Sequence, residues 1–353
     1  MPEFKIKKTA KAKKEVILPS KSDMVFIPNR ITNAKYNYTL IQEKIFNYVL
    51  FSLQDAIKLN MNGGNYQQLE LFKEINADRV SLTIPINTIA SPNHYSEVRE
   101  SAENLGKSLI RIIQVNGTTG KKEMRSLYLF GAVVTPIDKE RSAVIQIELS
   151  KEVARLLVEM DINKMGKPSN YTSFQLQIAI NAKNKYTPRI YKLISSWKEK
   201  GGFYMPIDEF RDWLELGAKY KSYGELKRNV LVPVQKELEG KALCWFNCKE
   251  KSFEKRDGKV VVGINWKVIT PEFEQESEIR IESIKNLLRV HFGFKNDDLQ
   301  QIEKSLLSIQ DFGRFNMRIL EINTYIKENK SKIGNPKAYL IKCIKKEFDK
   351  SEK

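Results

Sequence analysis

Lys221, Ser222, Tyr223, Lys227 and Arg228 crowd into eight positions of the chain, and Lys255, Arg256 and Lys259 follow after a gap. A guanidinium can meet the edge of a guanine with two parallel hydrogen bonds, while an ammonium or hydroxyl meets a phosphate oxygen. That is the chemistry of gripping a nucleic acid, with no covalent bond made or broken. Residues for bond-breaking chemistry are poorly placed by contrast. The two histidines, His94 and His291, are far apart and form no His-x-His pair, so the metal site of a nicking enzyme with a tyrosine nucleophile is missing. Gly106-Lys107-Ser108 lacks the earlier glycine that a phosphate-cradling loop requires, because Ser101 stands there. Cys244, Cys248 and Cys343 are too few for a disulfide framework, and Cys244 and Cys248 read as buried thiols on a strand rather than zinc ligands. The expectation is a binding protein without enzymatic activity, metal or other cofactor.

Bulk charge agrees with this reading. The 353 residues hold 60 Lys and Arg against 43 Asp and Glu, a net charge of +17, which suits a polyanionic partner. Six lysines fall between Lys5 and Lys14, so residues 1–24 read as a mobile basic arm rather than a secretory signal. No apolar run is long enough for a membrane helix, and the sparse, odd cysteine count suits a reducing compartment. A cytoplasmic protein with no membrane partner is expected.

The charged residues need elements to hold them. Ile41, Ile45, Val49, Leu53 and Ile57 repeat every four positions and predict an amphipathic helix over Thr39–Leu59, which Asn62-Gly63-Gly64-Asn65 then ends. Val80, Leu82 and Ile84 alternate as a strand, Tyr95–Leu105 reads as a helix, and Leu109–Val115, Leu127–Val134 and Ala143–Leu149 read as strands. A polar stretch over Asp161–Asn170 marks a boundary. Beyond it, helices are expected at Phe174–Asn181, Ile190–Lys198 and Tyr223–Leu238, followed by a hairpin after Leu243 whose tip is Lys249–Lys259. On the third helix Leu226, Val230 and Val234 form the inward stripe. Lys221, Gly224, Glu225 and Arg228 face the other way, with Lys227 at the margin. Pro233 inside that helix predicts a kink.

The two halves also repeat a vocabulary in the same order. Ile84-Pro85-Ile86-Asn87, Tyr95-Ser96-Glu97-Val98-Arg99 and Gly106-Lys107-Ser108-Leu109 are echoed by Met205-Pro206-Ile207-Asp208, Tyr223-Gly224-Glu225-Leu226-Lys227 and Gly240-Lys241-Ala242-Leu243. Proline closes a strand, Asn or Asp caps the next helix, an aromatic-acid-aliphatic-basic phrase opens the one after, and glycine stops it. Helix, strand, helix, helix and two-stranded wing make a winged helix, written twice. The fold class is therefore α+β: two winged-helix domains over residues 25–163 and 164–270, then a charged helical extension over 271–353. The repeat also nominates Tyr95, Ser96, Arg99 and Lys107 as the first-half counterparts of the contact residues.

Several further phrases carry a resemblance: Asn29-Arg30-Ile31, Phe174-Gln175-Leu176, Lys185-Tyr186-Thr187-Pro188-Arg189-Ile190-Tyr191-Lys192-Leu193, Pro206-Ile207-Asp208-Glu209-Phe210, Leu231-x-Pro233 and Val261-x-Gly263-Ile264. Over about residues 25–270 the chain resembles the initiator replication proteins of iteron-bearing plasmids. The resemblance implies double-stranded DNA as partner, with monomers on repeated origin sequences and dimers on an inverted repeat in the initiator's own promoter. It implies contacts from Tyr223, Lys227 and Arg228 on the recognition helix and from Arg189 in a basic turn. It also implies host partners, namely an initiator and the replicative helicase or its loader. Two other readings stay open: a winged-helix repressor acting at a lone inverted repeat, and an adaptor whose winged helices bind protein.

Overall fold

The computed structural model describes residues 23–55, 57, 79–116, 118–135, 143–307, 309, 312–329 and 332–348. The basic arm, apart from its last two residues, and the Asn62–Asn65 break lie outside that set. The chain divides into two compact units, residues up to Thr270 and residues from Pro271.

In the first unit, strand β1 (Met24–Pro28) and a helical turn at Asn29–Thr32 lead to helix α1 (Leu40–Ser52). Thr39 and Gln42 form a reciprocal capping box that fixes where α1 starts. Ile45, Val49 and Leu53 are buried, as their spacing predicts. The helix breaks at Leu53 and helical structure resumes at Gln54, Asp55 and Ile57, where the Ile57 N–H donates to the Leu53 carbonyl at 3.1 Å; residues 58–78 lie outside the description. Strand β2 (Arg79–Pro85) follows, then short turns and helix α2 (Tyr95–Leu105), which has the expected bounds. Strands β3 (Leu109–Val115) and β4 (Lys122–Tyr128) pair as a separate hairpin. Strands β5 (Ala132–Val134) and β6 (Val144–Ser150) then complete a sheet of order β2-β6-β5. Helix α3 (Lys151–Val158), started by Ser150 accepting from the Val153 N–H, was not anticipated.

A small hairpin, β7 (Asp161–Ile162) with β8 (Pro168–Ser169), occupies the expected boundary. Strand β9 (Tyr171–Gln175) pairs back onto β1, with Phe26 opposite Ser173. Residues on either side of the polar stretch are thus stitched together, and one apolar core runs from Val25 to Val268. Phe174 and Gln175 belong to this strand, so the helix expected at Phe174–Asn181 shrinks to Leu176–Ile180. Helix α4 spans Thr187–Ser195, beginning earlier than expected because Pro188 sits in its first turn, where a missing N–H is harmless.

The second half continues with β10 (Gly202–Pro206), α5 (Ile207–Trp213), helix α6 over residues 223–238, β11 (Glu254–Asp257) and β12 (Val260–Lys267). Its sheet order is β10-β12-β11. Within each three-stranded sheet the first strand in the chain pairs with the third and the third with the second, so the repeated wording folds into repeated wiring. Pro85 and Pro206 close their strands and are themselves the caps of the helical turns that follow, so Asn87 and Asp208 lie inside those turns rather than capping them.

Two expectations differ in the second half. The stretch after Leu243 is no strand. Cys244, Trp245 and Phe246 are buried one after another, which an alternating strand cannot do, and a single bridge pairs Trp245 with Ile269. Gln235 supplies the missing partner, its side-chain oxygen accepting from the Cys248 N–H at 2.9 Å. The wing is consequently shorter, β11 and β12 joined through Gly258 with φ 56°. The Pro233 kink takes the form of a π-helical segment, Lys227–Leu231, lying just before the proline. A proline ring collides with the carbonyl four residues back, here Asn229, so the turn widens there.

The second unit is four helices, α7 (Pro271–Phe292), α8 (Asn296–Leu307), α9 (Phe312–Glu328) and α10 (Pro336–Phe348). Ile284, Leu288, Ile302, Leu306, Phe315, Ile319, Leu340 and Ile344 close their own core. No helix among the described residues is long and apolar enough to cross a membrane.

Candidate nucleic-acid interface

Helix α6 begins where three local devices agree. The Ser222 hydroxyl accepts from the Glu225 N–H at 3.2 Å while the Glu225 carboxylate accepts from the Ser222 N–H at 3.3 Å. Leu226, Val230, Val234 and Leu238 bury the inner face. The connection from α5 is knitted by Arg211, which donates to the carbonyls of Tyr220 at 2.6 Å and Lys219 at 2.8 Å. Lys221, Ser222, Gly224 and Arg228 are left exposed, as the helical spacing predicts, and Lys236 extends the same face. Lys236 was legible from that spacing and was missed. Among the described residues Arg228 and Lys221 enter no ion pair.

The wing adds exposed Lys255, Arg256 and Lys259. Lys227 is not free at the margin as expected. Its ammonium sits 2.6 Å from the Glu254 carboxylate at 28% side-chain exposure. Arg256 donates to the same carboxylate, through Nε at 3.0 Å and again through Nη2. Burial would raise the Glu254 carboxyl, but Lys227 and Arg256 together outweigh it and hold it below the usual carboxylate value. Tyr223 is half-buried; burial first, then the Glu254 charge, pushes its hydroxyl well above the ordinary tyrosine value. Sequence reasoning missed Glu254, since one of three acids in a basic hairpin tip looks like ordinary surface.

The first half presents a different face. Ser96 and Lys107 are exposed, Tyr95 packs half-buried against the core, and Arg99 is half-buried. The outward positions of α2 carry Glu97, Glu100 and Glu103. Three carboxylates on the helix that would enter a groove repel phosphate, so Tyr95, Ser96, Arg99 and Lys107 do not form the cationic array found in the second half.

Arg189 requires a correction. Its guanidinium is buried, donating to the carbonyls of Ala34 at 2.7 Å and Trp213 at 2.8 Å and to that of Tyr36. It also stacks on the rings of Tyr36 and Trp213. Every direction toward solvent is taken by protein, so it clamps the two halves together instead of touching DNA. Lys35 with Asp212 and Arg111 with Glu215 add ion pairs along the same seam. A polar cleft of about 490 Å³ lies there, lined by Arg111, Asp208, Arg211, Asp212 and Glu215.

The family model described as "Initiator Replication protein, WH1" matches residues 24–195, and "Initiator Rep protein, WH2" matches residues 206–268. The chain belongs to the initiator replication proteins. That membership makes it a DNA-binding protein with tandem winged helices, matching the fold found here. No curated protein matches the chain. A solved structure, the Pi initiator protein in complex with iteron DNA, is similar over 72% of this chain and 100% of its own, at 14% identity and a TM-score of 0.49. The first family model runs through helix α4, past the boundary expected near residue 164, in keeping with the β1–β9 pairing.

Proposed function

We propose that this initiator starts plasmid replication by binding direct repeats (iterons) at its origin through its second winged helix. The observation that carries the reading is the exposed cationic array of Lys221, Arg228, Lys255, Arg256 and Lys259 around a capped helix in a member of this family. Helix α6 enters the major groove, about 12 Å wide, with Arg228 toward base edges and Lys221 and Ser222 toward phosphate. The wing lies along the adjacent backbone. Several monomers on adjacent repeats bend the duplex and help open a neighbouring AT-rich stretch, with binding energy supplying the work and no cofactor required. Host initiator and the replicative helicase or its loader then join. A dimer acting on an inverted repeat represses the initiator's own promoter. The site of action is the bacterial cytoplasm, on the plasmid itself.

The test is selection of fragments from the whole source genome with purified protein at two salt concentrations. Tandem direct repeats and a steep loss of binding with salt are expected. Recovery of a single palindrome alone would replace initiation by repression, and recovery of no preferred sequence would end the DNA-reading proposal.

A further inference from the structure

Within that DNA-reading proposal, on which this inference rests, we propose that Glu254 is a positioning residue that sets specificity. It holds Lys227 of the recognition helix and Arg256 of the wing in one fixed array and keeps both from indiscriminate phosphate contact. The geometry is specific. Glu254 Oε1 takes the Lys227 ammonium at 2.6 Å, and Oε2 takes Arg256 Nε at 3.0 Å together with Nη2. The carboxylate itself is only 11% exposed, whereas the Arg256 side chain is 51% exposed and ready to face a partner. Arg256 Nη1 reaches back to the Lys259 carbonyl at 3.3 Å, fixing the guanidinium plane at a third point.

Glu254 opposes phosphate, as do Glu250 and Asp257 of the same hairpin, but among the described residues it is the one of the three ion-paired to both a helix cation and a wing cation. Its presence makes sense if orientation matters more than raw attraction. Lys and Arg side chains are rich in rotamers, and tying both to one acceptor removes much of that freedom before DNA arrives. The site also joins two irregular backbone segments. Lys227 opens the π-helical turn of α6, and the wing slips register between Lys255 and Arg256. Glu254 therefore locks helix and wing as a single surface at the points where each departs from regular geometry. A correct base sequence meets a prepared surface, while random DNA meets two cations already engaged.

The experiment compares Glu254→Gln with the wild-type full chain on two duplexes, one carrying the selected repeat and one of equal length with that repeat scrambled. Binding is measured across a salt series. With the charge removed, Lys227 and Arg256 become available to any phosphate. Scrambled duplex should bind about threefold to tenfold more tightly and the salt slope should steepen by about one to two. The ratio of repeat to scrambled affinity should fall about tenfold. Glu254→Asp should recover part of the ratio. Because the effect runs through two named cations, Glu254→Gln should change neither ratio nor slope in a Lys227→Met, Arg256→Met background. Thermal unfolding of each variant separates a folding defect from a loss of positioning. A ratio within about twofold of wild type overturns the role of Glu254 while leaving DNA reading intact. A wild-type protein that fails to prefer the repeat overturns both.

Discussion

The guanidinium of Arg189 lies 4.0 Å from the centre of the Tyr36 ring and donates to the carbonyl of that same residue. Tyr36 and Arg189 both fall within the first family match and Trp213 within the second, so through Trp213 one side chain fastens the first winged helix to the second. It also caps carbonyls at Ala34 and Trp213.

Replacing Arg189 with Ala leaves three buried carbonyls without a donor, each worth about 1–3 kcal/mol when orphaned. A destabilisation of about 3 kcal/mol or more is expected in urea unfolding. Arg189→Lys should not restore it, because a point charge cannot serve three acceptors in one plane. Variant protein that remains folded should keep its sequence preference. Unchanged stability with lost DNA affinity would return Arg189 to the DNA surface.

Arg228→Ala tests the exposed end of the array. If Arg228 reads a base, affinity for the selected repeat falls by about 1–3 kcal/mol and the preference at one base pair relaxes. Competition binding against every single-base variant of the repeat reports this directly. An equal loss across all variants would make Arg228 a phosphate contact.

These two arginines show what the sequence could and could not reveal. Arg228 was legible because helical periodicity decides which residues face outward, and Leu226, Val230 and Val234 fix the inward stripe. Arg189 also stands on an amphipathic helix, but the face it occupies is covered by residues 34–36, about 150 positions away in the chain. No local pattern reports such a contact. The repeated phrases disclosed the doubled wiring of the two sheets because prolines and glycines act locally. The β1–β9 pairing and the shared core stayed hidden for the same reason as Arg189. The failed strand after Leu243 came from reading a dense apolar run as sheet, when Cys244, Trp245 and Phe246 fill the space beneath the wing. The acidic face of α2 was visible in Glu97, Glu100 and Glu103, and the analogy with α6 obscured it.

The seam between the halves also predicts a response to alkali. Burial, with the Glu43 carboxylate adding to it, raises the hydroxyls of Tyr36 and Tyr38 above the ordinary tyrosine value, and burial does the same for Tyr191. Since the folded-state values lie above the unfolded one, their contribution to stability is whole below about pH 10 and is lost as pH rises beyond it. Lys44, Lys185 and Lys192 have the opposite sign, because burial lowers their values, but burial raises Tyr48, Tyr186 and Tyr223 as well, so the tyrosines outnumber them. The urea midpoint should fall steadily above about pH 10. Tyrosinate absorbance should rise in two stages, exposed rings first and the buried ones, Tyr36, Tyr38 and Tyr191 among them, with unfolding. Simultaneous titration of all 14 tyrosines with the fold intact would refute this.

Burial pushes the Cys244 thiol up to about 11, and Cys248 is raised by the same cause. Both are fully buried, while Cys343 is half-exposed in the second unit. A thiol-reactive chromophore at pH 8 should therefore modify one cysteine quickly, and two more only in denaturant. Fast reaction of two or three thiols in the native protein would show that the loop under the wing opens.

The charge of the chain is divided unevenly between its two units. Residues 1–270 hold 44 Lys and Arg against 29 Asp and Glu, whereas residues 271–353 hold 16 against 14. Each unit also closes a core of its own, with no residue shared between the two apolar clusters. A chain ending at Thr270 should consequently keep the folded winged helices and nearly all the electrostatic attraction for DNA. Its affinity for the selected repeat should stay within about threefold of the full chain, with the same salt slope, since the number of phosphates neutralised is unchanged. Salt-dependent binding measured on both chains decides the point. A slope that drops by two or more on truncation would place the helical unit on the DNA.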